Sequence, residues 1–265
     1  IAQHESSLSH LFRVPHPALQ GLTYGEALVR GLKGRDMLPQ KTMRILEIGG
    51  GIGDIAASML DALHAEGLDV EYDILETSAA LAELQREKLS SRGVTVHHAE
   101  SVNDAWPSSN YTLIVANEIA GNLSAVHLTH ADIGLSDGSI DESVLEAKAA
   151  AMGDAGRLLT EHGLPLADAP EEFHLNVGAF LLLEKMKQHL ADDGFGIITE
   201  CGELNRYPIL STHLEEPSLS LHWGQMATLA DKIGLETDYL YTMELIGMDG
   251  DLPALSTTRS YFKAL

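Results

Sequence analysis

The run Ile45-Leu46-Glu47-Ile48-Gly49-Gly50-Gly51-Ile52-Gly53-Asp54 constrains this chain more than any other, because it joins an apolar strand to a helix through a glycine turn with an acid at its mouth. Glycines let the backbone turn sharply and approach a ligand closely. The free N–H groups at the following helix start favour an anionic group such as a carboxylate. The spacing predicts a nucleotide-type cofactor site at the end of a strand in an α/β fold.

Two cofactors compete for that turn. Gly49-x-Gly51-x-Gly53, with Glu47 two residues ahead, is a pattern in which an amino-acid cofactor can place its ammonium near a carboxylate, and S-adenosylmethionine carries such an ammonium. The rival is a dinucleotide, since Gly51-Ile52-Gly53-Asp54-Ile55-Ala56 satisfies the looser G-x-G-x-x-G/A fingerprint. Both need an acid for ribose hydroxyls. The next apolar run, Val70 to Leu75, ends at Glu76 with Thr77 beside it, at the right distance for that acid. A solvated strand-end carboxylate is the plainer alternative. Glu100, with Ser101, follows the third strand and is placed to meet an adenine amino group, or else is an exposed turn acid.

The order of elements supports the same fold class. Ile55, Met59, Leu60 and Leu63 recur at helical spacing up to Gly67, and Leu81, Leu84 and Leu89 repeat the device before Gly93. Strands are expected at Val94 to His98, Tyr111 to Ala116 and Gly194 to Thr199, with helices from Val177 to Leu190 and around Trp223 to Ile233. Two β-rich runs, Thr237 to Leu245 and Thr257 to Phe262, flank a turn-rich segment and predict a closing antiparallel hairpin. The expected architecture is a Rossmann-like, doubly wound, mostly parallel sheet of seven strands. Residues 1–42 are expected to form a cap and 43–265 the main domain. Within it, residues 119–176 interrupt the rhythm after the fourth strand, with helices expected at Ala147 to Leu159 and in Leu123 to Ala131. Ligands in open α/β sheets sit at the carboxyl ends of strands, so this insertion is the candidate substrate lid.

Composition narrows the classes further. The 39 acids and 17 bases give a net charge of −22, which repels a nucleic-acid backbone and attracts cationic partners such as a basic peptide segment. Residues 119–176 alone carry ten acids and two bases. An ordinary solvated surface has the same signature. No apolar run approaches the roughly 20 residues that cross a bilayer, so no membrane association is expected. Nothing at the start reads as a signal peptide, and Ile1 leaves open a longer natural amino terminus. The single Cys201 excludes an internal disulfide and a cysteine zinc cluster, and a cytoplasmic location is the default.

In combination, Glu47-Ile48-Gly49-Gly50-Gly51-Ile52-Gly53, then Glu76, then Asn117-Glu118 resembles the class I S-adenosylmethionine-dependent methyltransferases over residues ~43 to 265. A narrower likeness is to the mitochondrial complex I assembly methyltransferase family and its bacterial relatives, which methylate a protein arginine. Tyr24-Gly25-Glu26-Ala27 is similar to that family's Phe-Gly-Glu segment, and Asn117-Glu118 to its Asn-Glu motif. Glu200-Cys201-Gly202-Glu203 stands where the family has an Asp-Tyr-Gly turn, His213 where it has a histidine, and His222-Trp223-Gly224-Gln225-Met226 resembles its later helix start. The resemblance implies S-adenosylmethionine as cofactor, with Tyr24 and Asn117 beside it, and a protein or peptide substrate. The chain departs from the family after Glu118, reading Ile119-Ala120-Gly121-Asn122 instead of an aromatic-Asp-Ala-Leu-Pro run, and Cys201 replaces a tyrosine.

Methyl transfer needs an acceptor lone pair in line behind the methyl and removal of a proton when the acceptor is protonated. Glu118 is the first candidate for that work, with Asn117 offering an amide oxygen to orient an N–H. The alternative for Glu118 is a helix-start acid. Glu200 is a second acid or a structural strand end, and His213 and His222 are candidate bases. His127, His130 and Asp132 resemble metal ligands but lack a firm third partner, so no metal is expected. Other readings stay open at this level: a small-molecule or natural-product O- or N-methyltransferase, a nicotinamide-dependent oxidoreductase, and a non-catalytic assembly factor.

Overall fold

The first helix is set by its own cap. In the computed structural model, which describes residues 12–39, 41–107, 110–213 and 216–248, the Glu26 carboxylate accepts the Thr23 amide proton at 2.7 Å while Thr23 Oγ1 accepts from the Glu26 amide. This capping box starts α1 (Tyr24–Lys33). β1 (Thr42–Ile48) follows, then the glycine turn and α2 (Asp54–Ala65). α1 buries Tyr24, Ala27, Leu28 and Leu32, and packs against α2. Gly25 permits the approach: a Cβ there would stand 2.2 Å from Ser58 Oγ and 2.9 Å from the Ile55 carbonyl oxygen. Tyr24, Ala27, Leu28 and Leu32 thus belong to the core that α1, α2, β1 and β2 share.

β2 (Asp69–Glu76) leads into α3 (Ala79–Leu89), β3 (Thr95–His98) and β4 (Tyr111–Asn117). The buried face of α3 is Ala82, Gln85 and Leu89; of the expected leucines Leu89 is buried, Leu81 is half-buried and Leu84 is 42% exposed. Residues 82, 85 and 89 share one side of a 3.6-residue helix, and a small Ala and a polar Gln made that side inconspicuous in the sequence.

The chain divides into two compact units. The first comprises Ile1–Asn117, His189–Thr199 and Tyr239–Leu265, and the second Glu118–Gln188 and Glu200–Asp238. In the second unit β5 (Val126–Thr129) pairs antiparallel with a later strand, β8 (Glu172–Leu175). Between them come α4 (His130–Ile133), the short hairpin β6 (Leu135–Ser136) and β7 (Ser139–Ile140), α5 (Glu142–Met152) and α6 (Asp154–His162). Where one helix was expected from Ala147 to Leu159, Gly153 at φ 58°, ψ −130° separates two. A strand replaces the helix expected within Leu123 to Ala131, because its residues find a cross-strand partner in β8.

α7 (Val177–His189) returns the chain to the first unit as β9 (Leu190–Thr199). The second unit resumes with β10 (Gly202–Glu203), the hairpin of β11 (Leu210–His213) and β12 (Glu216–Leu219), β13 (Leu221–His222) and α8 (Trp223–Lys232). α9 (Thr242–Leu245) closes the described chain.

The central sheet is parallel throughout, in the order β3-β2-β1-β4-β9, an α/β architecture of the kind expected. It has five strands among the described residues, against the seven expected. Thr237 to Leu245 forms no strand: its last four residues are α9, and Leu245 and Ile246 bury against α1 at Gly31, where a Cβ would lie 1.9 Å from the Leu245 carbonyl oxygen. The other half of the expected hairpin, Thr257 to Phe262, lies outside the described residues. Among the described residues, no helix is long and apolar enough to cross a membrane.

Gly25→Ala tests the α1–α2 contact. Two of the three atoms the new methyl would meet are backbone, so the helices must separate. A loss of about 1–3 kcal/mol in urea unfolding is expected, the usual range for overpacking. An unchanged midpoint would show that the helices part freely.

Candidate functional site

The glycine turn lies where the strand order reverses between β1 and β4, which is where open α/β sheets place ligands. Gly49, Gly51 and Gly53 adopt φ of 70°, 53° and 81°, the left-handed region that side chains disfavour. The turn is held by Gly49 N–H donating to the Leu75 carbonyl at 2.9 Å and Gly53 N–H to the Gly50 carbonyl at 2.8 Å. A Cβ at Gly51 would meet nothing within 4 Å, so the turn is open on that side. Gly53 is the N-cap of α2 and, having no side chain, makes no side-chain cap to the first N–H groups of this helix.

Glu76, the last residue of β2, is 4% exposed, and both its oxygens are engaged. Oε1 accepts from the Ser78 amide at 2.9 Å and Oε2 from Gln85 Nε2 at 2.9 Å. The same Nε2 donates to the Gly51 carbonyl at 2.8 Å, so one amide joins the turn to the acid. Thr77 is exposed, and its carbonyl lies 3.2 Å from His98 Nε2.

Glu47 sits otherwise than the sequence led one to expect. Its carboxyl is 1% exposed and accepts from Tyr72 Oη at 3.0 Å in the interior, rather than standing at the mouth of the turn. Burial, helped by the Glu76 charge and opposed by the Tyr72 hydrogen bond, pushes it up to about 7. Glu100 is exposed just beyond β3. Ser101 belongs to a tight turn in which its N–H donates to Asp104 Oδ2 at 2.8 Å and its Oγ accepts from the Asn103 amide at 3.1 Å.

At the end of β4, Asn117 Oδ1 accepts two hydroxyls, Tyr24 Oη at 2.7 Å and Thr199 Oγ1 at 2.7 Å. The amide oxygen expected to orient a substrate N–H is therefore occupied, and the amide NH2 is the group Asn117 has left to offer. All ten positions expected to hold a cofactor (Tyr24, Glu47, Gly49, Gly51, Gly53, Glu76, Thr77, Glu100, Ser101 and Asn117) belong to the first unit.

The other catalytic candidates belong to the second unit. Glu118 is half-buried at φ 53°, an uncommon conformation for a residue with a side chain. Glu200 accepts from the Gly121 amide at 2.8 Å and the Cys201 amide at 3.0 Å, and burial raises it above the ordinary carboxylate range. Both of its oxygens thus hold backbone. Burial, with Glu200 and Glu118 nearby, pushes the Cys201 thiol up to about 11, so it is not a thiolate at neutral pH.

His222 caps α8: its Nδ1 accepts from the Gln225 amide at 3.2 Å, and its ring stands edge-on to Tyr207 at 5.0 Å. That bond needs a neutral ring with the proton on Nε2, and burial lowers the proton affinity further, so His222 reads as a cap rather than a free base. His213 stands opposite Glu216 in the β11–β12 hairpin, and its side chain lies outside the described residues. His127 packs against His174 at 5.3 Å, while His130 bonds the Ala169 carbonyl at 2.8 Å and Asp132 closes the cap of α4. Glu161, His162 and Glu184 come close enough to ligate a metal, but Arg157 bridges Glu161 at 2.9 Å and Glu184 at 2.6 Å and places a positive charge where a cation would sit.

Three residues of the first unit were not anticipated: Gln85, Thr199 and Tyr72. A polar residue on the buried side of α3 was the available signal for Gln85. Thr199 and Tyr72 carried none, since both suit a strand by propensity alone.

The alternating left-handed glycines, the open side at Gly51, the uncapped helix start and the buried Glu76 fit a nucleoside with a carboxylate-bearing arm. The profile of a family described as "Putative S-adenosyl-L-methionine-dependent methyltransferase" matches residues 27–200, more than half of the chain. Two crystal structures of Burkholderia thailandensis proteins share the fold. One, of a protein described as an uncharacterized ACR, is 19% identical with a TM-score of 0.54 and covers 85% of this chain and 64% of its own. The other, bound to S-adenosyl-homocysteine, is 18% identical with a TM-score of 0.51 and covers 79% of this chain and 59% of its own. This chain therefore spans about three fifths of the length of these relatives. No curated protein matches it in sequence. The match over residues 27–200 sets the nicotinamide alternative aside: the chain belongs to the family of S-adenosylmethionine-dependent methyltransferases.

Proposed function

We propose that this chain transfers a methyl group from S-adenosylmethionine to a side-chain nitrogen of a protein or peptide, of arginine or amide type. The observation that carries the reading is the glycine turn, open at Gly51 and leading into an uncapped α2, with the buried Glu76 carboxylate tied to it. When bound, the cofactor supplies an electrophilic methyl on a positively charged sulfur.

In this reading the N–H groups at the start of α2 receive the cofactor carboxylate and the Glu76 oxygens receive the ribose hydroxyls. Thr77, Glu100 and Ser101 border the nucleoside. The Asn117 NH2 donates to an acceptor on the cofactor or substrate, with Tyr24 and Thr199 fixing its orientation. Glu118, the next residue along the chain, orients the nitrogen and takes its proton. Glu200 and His222 keep backbone in place, and His213 is the remaining candidate base. A basic acceptor segment is favoured by the charge of −22 and the ten acids of residues 119–176, which select the substrate. The local likenesses to the complex I assembly family support a protein nitrogen. The single Cys201 supports a cytoplasmic setting.

Cofactor binding is tested by calorimetry. S-adenosylmethionine and S-adenosylhomocysteine are expected to bind and NAD not to, and the opposite ranking would reject the reading. If the cofactor's ammonium reaches Glu47, binding at neutral pH ionises this acid and releases about half a proton, read from buffers of different ionisation enthalpy. No release would leave Glu47 a core residue.

The same acid predicts a pH dependence of the unliganded protein. Because its folded value lies near 7 against 4.5 unfolded, the folded state binds more protons across that window, and stability is lost as pH rises from 4.5 to about 7. In urea unfolding, Glu47→Gln is expected to remove a slope worth on the order of 3 kcal/mol. Equal slopes in both proteins would mean that Glu47 ionises freely in the fold.

Glu118→Gln tests the catalytic assignment. The change keeps the size and removes the charge, so S-adenosylhomocysteine binding is expected to persist while the methylation rate falls about 10²-fold or more, the scale of general-base loss. Mass spectrometry of arginine- and amide-containing peptides incubated with the cofactor identifies the acceptor. Methylation of small molecules alone would replace the peptide reading.

A further inference from the structure

Gln85 is fully buried on α3, yet it is a polar residue with an unsatisfied atom: Oε1 is buried without a hydrogen-bond partner. Packing alone does not explain it, because a Met or Leu would fill similar volume without a stranded amide oxygen. The amide does what no apolar residue can. Its Nε2 donates at 2.8 Å to the carbonyl of Gly51 and at 2.9 Å to Oε2 of Glu76, and it lies 3.3 Å from where a Cβ on Gly50 would stand. One side chain thus sets the distance between the middle of the glycine turn and the acid that ends β2.

The remaining lone pairs of Glu76 define a ligand class. A carboxylate has about four acceptor positions, two on each oxygen. The Ser78 amide uses one on Oε1 and Gln85 uses one on Oε2, which leaves one on each oxygen. Two hydroxyls on adjacent carbons match that pair, one to each oxygen. A phosphate on either hydroxyl would meet the carboxylate charge instead.

We propose that Gln85 is a positioning residue that holds Glu76 in the rotamer that accepts a vicinal diol, and that locks the glycine turn to it. The proposal rests on the reading of Glu76 as the ribose acid, and goes beyond it by assigning that acid's geometry to a residue the ligand does not touch.

Calorimetry with S-adenosylhomocysteine on the full chain tests it, using Gln85→Met, Glu76→Ala and the double variant, with thermal unfolding of each protein as the control for folding. Gln85→Met is expected to weaken binding about tenfold, the scale of a lost charge-assisted hydrogen bond. In the Glu76→Ala background Gln85→Met adds less than about twofold, since the two act as one unit. Wild-type affinity in Gln85→Met overturns the proposal, as do losses that multiply in the double variant.

Should Gln85→Met not fold, Gln85→Glu decides. Its affinity relative to the wild type at the same pH rises as pH falls, because the protonated carboxyl regains a donor, and a ratio that does not change with pH overturns the proposal. A wild-type protein that does not bind S-adenosylhomocysteine rejects the methyltransferase reading and the proposal with it. Binding by the wild type with a silent Gln85 rejects the proposal alone.

Discussion

A parallel sheet covered on both faces can meet polar ligands only at the ends of its strands, and the first unit is built around that constraint. Met43, Ile45, Leu46 and Ile48 of β1 are fully buried, as are Leu113, Ile114 and Ala116 of β4. Polar side chains gather at the carboxyl ends instead: Glu47 near the end of β1, Glu76 at the end of β2, Asn117 at the end of β4 and Thr199 at the end of β9. Each must find partners within hydrogen-bond reach, because at that depth water no longer supplies them. The partners they find decide which of these groups remain available to a ligand.

The two acids show how much the neighbours matter. Glu47 and Glu76 are almost equally buried. Glu76 is met by a backbone N–H and by the Gln85 amide, both fixed donors. Among the described residues Glu47 is met by the Tyr72 hydroxyl, and desolvation dominates it. Two fixed donors hold the Glu76 carboxyl in place, whereas one hydroxyl leaves Glu47 raised to about 7 by its burial. The same carboxyl group thus has two different electrostatic roles on adjacent strands. Glu200, in the second unit, has a third: its two oxygens join the turn after β4 to the segment after β9 through the Gly121 and Cys201 amides.

Much of this was legible in the sequence wherever local chemistry is strong. The glycine turn, the helices after it and the parallel strands follow from periodicity and from the conformations that only glycine adopts readily, as at Gly49, Gly51 and Gly53. What periodicity misread, tertiary partners had decided. Val126 to Thr129 became a strand because Glu172 to Leu175 pairs with it, and Thr237 to Leu245 did not because α1 offers Gly31 to a short helix instead. The buried face of α3 was missed because leucines outweighed Ala82 and Gln85, although Leu84 is exposed. In the site, residue types were legible and hydrogen-bond directions were not. No sequence pattern shows that Asn117 Oδ1 is taken by two hydroxyls or that His222 spends its Nδ1 on a helix cap.

The junction after β4 carries the most informative strain. Non-glycine residues at positive φ among the described residues are Gln20, Asp36, Asn110, Glu118 and Asp137, and all but Glu118 are exposed. A left-handed residue with a side chain costs on the order of 1 kcal/mol, a cost that a glycine at 118 would relieve. The residue is half-buried. Its predecessor, Asn117, is held by two hydroxyls in an orientation that leaves its NH2 available. A donor fixed by its neighbours, followed immediately by an acid kept in a strained backbone position, forms a pair with opposite hydrogen-bonding character. The left-handed turn falls on the residue at which the chain leaves β4, directly after the amide that Tyr24 and Thr199 hold in place.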